Sequence, residues 1–168
     1  CVAWLALGTA AYAADQPGTL RVDYFHTGGR GVEIFSLDRL VVEPLPWPGH
    51  PSRNLDGGEP GVYRYEVRDP DGRLLYARGF ASIFGEWVTT AEAAGQHRTF
   101  HESLRFPLPD GPVDLTVLRR GEDQSFAPVW QARLDPDDMF VERAPPPRLE
   151  PLVVEQHGPP QDKVDLLL

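Results

Sequence analysis

His101 and Glu102 are the pair whose types could do the most chemistry. In a helical His-Glu-x-x-His run, two imidazoles hold one zinc ion and the glutamate acts as general base. Here Arg105 stands where the second imidazole would be. His97 and His101 are four apart and would share a helical face, but the alternation around them predicts a strand. Four residues of strand span about 13 Å, whereas each zinc ligand lies about 2 Å from its metal. That pair cannot close on one ion, and no metal or other cofactor is expected in this segment. His26, beside Gly28-Gly29, reads as a structural histidine at a strand end. Gly28-Gly29-Arg30-Gly31 lacks the lysine, the following hydroxyl residue and the helix of a phosphate loop. Ser36, Ser82 and Ser103 have no Gly-x-Ser-x-Gly setting. No paired-carboxylate motif stands out among the 25 acidic residues, so no catalytic residue is assigned.

Recognition chemistry is better represented. Tyr76 to Trp87 (YARGFASIFGEW) interleaves aromatic rings with charged and hydroxyl side chains, a composition that suits aromatic anchors inside a polar rim. A core strand with a few satisfied polar groups is the competing reading. Arg78, Glu86, Trp87, Arg98, His101 and Glu102 are the candidate interface or recognition residues. Trp47, Trp87 and Trp130 read individually as sheet-packing residues before ligand platforms.

These groups need a scaffold, and 168 residues supply one ordinary domain with some tail. The 16 glycines and 18 prolines make up about a fifth of the chain, against roughly 12% in average usage. Such a chain is built from turns and short elements rather than a helical bundle. The net charge of −9 repels polyanions, and no basic block offsets it, which argues against nucleic-acid binding.

Residues 1–13 (CVAWLALGTAAYA) are uncharged and too short to span a bilayer. Ala11-Tyr12-Ala13 fits a signal-peptidase pattern, with cleavage between Ala13 and Ala14. The expectation is a cropped signal peptide, a secreted or periplasmic product, and no membrane attachment after cleavage. Cys1 is the single cysteine; without the leader, disulfides, thiol catalysis and cysteine zinc sites all fall away.

Leu20, Val22 and Tyr24 alternate with polar neighbours in a strand ending near Gly28-Gly29, and Val32 to Val42 forms a second. Pro44, Pro46 and Pro48 confine their own stretch to a loop or a sheet edge. Tyr63, Tyr65 and Val67 share a strand face, and Asp69-Pro70-Asp71-Gly72 turns the chain back into Leu74 to Phe80. Ala81 to Val88 is expected to extend the sheet, with Gly79 and Gly85 marking bulges or close approaches. Thr90 to Gly95 is the one expected helical turn, capped by Thr90. Phe100, Leu104 and Phe106 lie on a further strand, and Val113, Leu115 and Val117 pair with Phe126 to Leu134. About seven or eight short strands result, with no crossover helix. The expected fold is an all-β, antiparallel β-sandwich over residues 14–143, followed by a Pro-rich linker over 144–163. Residues 164–168 (VDLLL) read as the first strand of a further, truncated domain.

Five stretches, TLRVDYFHTGG, EIFSLDR, LLYARGFASIFGEWVTTAEA, RTFHESLRFPLP and GPPQDKVDLLL, resemble the N-terminal domain of the IgA-peptidase family of secreted bacterial zinc metallopeptidases. The resemblance implies a non-catalytic β-sandwich module, with the zinc site in a downstream catalytic domain, and it transfers no catalytic or metal residue to this segment. The partner it implies is that downstream peptidase domain, contacted within one molecule, with a protein substrate as a further candidate. Two other readings stay open: a secreted sandwich module that binds glycan or protein ligands, and a stand-alone hydrolase with a site assembled across strands.

Overall fold

The computed structural model describes residues 17–50, 53–57, 61–143 and Pro145. The expected signal peptide, the linker over 144–163 and the strand over 164–168 therefore lie outside the described residues, Pro145 excepted. Eight strands form two four-stranded sheets. The first sheet has the order β5 (Arg98–Pro107), β1 (Gly18–Gly29), β2 (Val32–Pro46), β8 (Glu142–Arg143). The second has the order β4 (Leu74–Phe80), β3 (Tyr63–Arg68), β6 (Val113–Arg120), β7 (Phe126–Leu134). All pairings are antiparallel except that of β8, whose two residues run parallel to Val41 and Val42.

The period-two pattern decides which side chains meet. Leu20, Val22, Tyr24, Leu104 and Phe106 of the first sheet are buried against Tyr63, Tyr65, Val67, Leu115, Val117 and Leu134 of the second. This is the core that the alternation predicted. The Tyr65 hydroxyl donates to the carbonyl of Arg105 at 2.6 Å, one polar tie between the sheets. Trp47 is buried, and Trp130 lies stacked on Phe35 with ring centroids 5.5 Å apart.

Turn chemistry follows the sequence where glycine is required. The amide of Gly72 donates to the Asp69 carbonyl at 2.9 Å, closing the expected turn with Gly72 at φ +83°. Gly28 sits at φ +150°, and a Cβ there would lie 2.0 Å from the Val32 carbonyl oxygen. The β1–β2 hairpin thus depends on a residue without a side chain. The proline-rich end of β2 continues to Pro46 and pairs with Gly18.

Residues 81–88 do not extend the sheet. Ile83–Trp87 form the short helix α1 instead, started by Ser82, whose Oγ accepts the Gly85 amide at 2.8 Å. Serine is a strong helix starter because its oxygen satisfies an otherwise unpaired amide. Gly85 therefore marks a helix, not a bulge, although its close approach to Tyr63 is real: a Cβ would lie 2.8 Å from that ring. Gly79 stays in register opposite Arg64, and the irregularity in this pair lies between Val67 and Arg68. The expected turn at Thr90 to Gly95 is a 3-10 turn over Glu92–Ala94, with Ala91 rather than Thr90 at its start and no side-chain cap. No helix among the described residues is long and apolar enough to cross a membrane.

Candidate functional site

His26 sits near the Gly28–Gly29 end of β1 with its side chain fully buried. Its Nε2 lies 2.9 Å from Oε1 of Glu33 on β2, and its Nδ1 lies 3.3 Å from Oε2 of Glu102 on β5. Strand register makes this possible: His26 is opposite Phe35 on one side and Phe100 on the other, so Glu33 and Glu102 each sit two residues along on the same inward face. Neutral imidazole has one N–H and one acceptor, and a carboxylate only accepts. Both contacts are satisfied together by the imidazolium alone. Burial by itself lowers the His26 pKa, but the hydrogen bonds and charges of Glu102 and Glu33 outweigh it and hold the ring above its ordinary value.

Each carboxylate is supported in turn. Glu33 accepts from the Tyr63 hydroxyl at 2.7 Å and from Arg119 at 2.8 Å, both on the second sheet. Glu102 accepts from the Tyr24 hydroxyl at 2.8 Å and from the Phe84 amide of α1 at 3.1 Å. Burial pushes both glutamates up, yet His26 and these donors bring them below the ordinary range. Phe35 and Phe84 stack on the two faces of the imidazole, with centroids 4.0 and 3.9 Å away. The arrangement closes the ring off and fastens α1 to the sandwich; it leaves His26 no lone pair to act as a base or ligand.

The candidate recognition residues fall in four places. Glu86 and Trp87 lie on α1, and Arg98 begins β5 beside them. The Trp87 indole N–H donates to Glu92 at 3.2 Å, and the Arg98 guanidinium lies 6.0 Å over the Trp87 ring. Arg98 also pairs with Glu92 at 2.5 Å. Trp87 packs on Phe84 and Phe100, at centroid distances of 6.0 and 5.6 Å. Glu86 is exposed, and Ile83 next to it is 61% exposed, so this corner is an aromatic cluster with a charged rim. His101 points to the opposite, outer face of the first sheet, 5.0 Å from Phe25 and 3.2 Å from Asp38. Arg78 is exposed on β4. Glu102 faces inward and serves His26, because alternation along β5 sends 100, 102, 104 and 106 to the interior.

Asp23, Asp38 and His101 offer ligand atoms within 4.8 Å of one another, the one such trio among the described residues. The donor set does not suit zinc. Asp23 already receives Arg21 at 2.9 and 3.1 Å, Arg39 at 2.9 Å and Ser103 at 2.7 Å. Guanidinium groups occupy the lone pairs a cation would need.

The sequence marks His26 as a lone histidine at a strand end and carries no local sign that Glu33 and Glu102 converge on it. The available signal was positional: with β1 between β2 and β5, inward-facing acids near His26 in each neighbour must converge. Strand order was the missing information.

The chain matches the family model described as Peptidase M64 N-terminus over residues 12–131. No curated protein matches it. The matched span covers well over half of the 168 residues and includes β1 through most of β7. The chain therefore belongs to the N-terminal domain family of the M64 peptidases, the IgA-peptidase family of zinc metallopeptidases.

Proposed function

We propose that this domain is a non-catalytic module of a secreted M64 peptidase, packing on the catalytic domain or orienting substrate for it. Membership of an N-terminal peptidase domain family implies contact with a catalytic domain. The observation that carries the finer reading is the α1 corner. A half-buried Trp87, held by Phe84 and Phe100, stands beside exposed Ile83 and Glu86 with Arg98 at its rim. Buried aromatic anchors in a polar rim concentrate binding energy. The glutamate–imidazolium clamp supports this role by fixing α1 through the Glu102 contact to the Phe84 amide and the Phe84 stack on His26. A rigid corner gives up little conformational entropy on docking. The parent's catalytic zinc, on this reading, belongs to the peptidase domain, and water activation takes place there.

The test is alanine replacement of Arg78, Glu86, Trp87, Arg98, His101 and Glu102 in a full-length protein carrying the peptidase domain. Trp87→Ala and Arg98→Ala should lower peptidase activity or the thermal midpoint of the full-length protein. Glu102→Ala is expected to lower the midpoint through His26 alone; if Trp87→Ala and Arg98→Ala both leave peptidase activity unchanged, the docking role is wrong. Stoichiometric zinc or peptide cleavage by the 168-residue chain itself would overturn the non-catalytic assignment.

A further inference from the structure

In the buried cluster of His26, Glu33 and Glu102, one proton decides how many carboxylates the ring can hold. As imidazolium, His26 donates from Nε2 to Glu33 at 2.9 Å and from Nδ1 to Glu102 at 3.3 Å. Neutral imidazole keeps one N–H and turns a lone pair on the other carboxylate. The two acids are not equal in that contest. Glu33 has a second cation, Arg119 of β6 at 2.8 Å, beside the Tyr63 hydroxyl of β3. The other described donors to Glu102 are neutral: the Tyr24 hydroxyl of β1 at 2.8 Å and the Phe84 amide at 3.1 Å. Loss of the proton therefore strands Glu102, whose side chain is 8% exposed, as a buried anion without a counter-charge. A cavity of about 340 Å³, lined in part by Tyr24, Ser82, Ile83 and Glu102, lies alongside and gives that carboxylate a way to water. α1 depends on the same anion. The Phe84 amide lies in its first turn, where amides have no helical partner, and a helix of five residues does not sustain itself. The Phe84 ring stacks on the imidazole opposite Phe35, and two ring faces favour a cation between them.

We propose that the His26 proton is a latch on α1: with it the helix is fastened to the sandwich, and without it Glu102 turns into the cavity and releases the Phe84 amide while both sheets stay paired. This regulation of the α1 corner rests on the docking reading for its consequence, a corner that is rigid enough to dock only while His26 is charged. The groups facing the ring are Glu33 of β2, Glu102 of β5, Tyr24 of β1, Tyr63 of β3, the Phe84 ring of α1 and, behind Glu33, Arg119 of β6. Burial pushes the Tyr24 and Tyr63 hydroxyls up, so both keep their protons while His26 titrates. Burial also works against the imidazolium, but Glu102 and Glu33 outweigh it, and the latch opens only above the ordinary histidine value.

The experiment is a titration of the ¹³C,¹⁵N-labelled 168-residue chain between about pH 6 and about pH 10, the span from histidine to tyrosine ionisation. It follows the His26 ring nitrogens, the Glu102 carboxylate carbon and the Phe84 amide. All three should move with one midpoint above the ordinary histidine value, and the Phe84 amide should lose about tenfold of its exchange protection across it. Amides of β3 and β6 should keep theirs, which separates a latch from unfolding. Glu102→Gln has no charge to strand, so its Phe84 amide should hold its protection over the same range. Glu102 or Phe84 signals that stay still while His26 titrates, an equal loss of protection in β3 and β6, the same Phe84 loss in Glu102→Gln, or a ring that keeps its proton throughout would each overturn the proposal. Because the domain is titrated alone, any of these results leaves the full-length test of Trp87 and Arg98 standing.

Discussion

His26 is a buried cation with two anions, and single substitutions there are read against the cost of orphaning a charge. Breaking a buried ion pair by removing one partner costs about 3–5 kcal/mol. Glu102→Gln keeps the shape but removes the charge, and it also weakens the acceptor for Tyr24 and the Phe84 amide. We expect about 3 kcal/mol of lost stability by urea denaturation, with a smaller loss for Glu33→Gln because Glu33 is the more exposed of the two. The linkage has a definite sign. His26 is raised above 6.5 in the fold, so its contribution is complete below pH 6.5 and fades as pH rises through the folded value. Glu33 and Glu102 are held below 4.5, so theirs is complete above pH 4.5 and fades as pH falls through their folded values. Stability should therefore be highest across the interval between, and His26→Gln should flatten the alkaline limb of a stability-against-pH curve. An alkaline limb unchanged in that variant would show that His26 is not the imidazolium described.

At the scale of elements, α1 and the β1–β2 hairpin are the places where single backbone features decide the outcome. Ser82→Ala removes the α1 start and should cost about 1 kcal/mol in thermal or urea unfolding. Gly28→Ala should cost more, because its Cβ would meet the Val32 carbonyl at 2.0 Å and force the hairpin to move. Most strands were legible in the sequence, since Leu20-Val22-Tyr24, Tyr63-Tyr65-Val67 and Val113-Leu115-Val117 alternate against polar neighbours and did end in one core. The helix was not, because Ile83, Phe84 and Trp87 are residues that also suit strands, and only the Ser82 cap spoke otherwise. The glutamate clamp was hidden for a different reason. Glu33 is seven residues from His26 and Glu102 is 76 away, so their meeting depends on β1 lying between β2 and β5. Alternation along a strand carries no information about its neighbours.

For the whole molecule, the α1 corner, with half-buried Trp87 beside exposed Ile83 and Glu86, is the surface on which the proposed docking rests. On the proposed reading, the α1 corner is covered by the peptidase domain. Hydrogen exchange of a full-length protein, compared with the 168-residue chain, reads this directly. The expected result is slower amide exchange across residues 83–98 in the full-length protein and unchanged exchange in the β6–β7 pair. Equal exchange across residues 83–98 in the two proteins would contradict it.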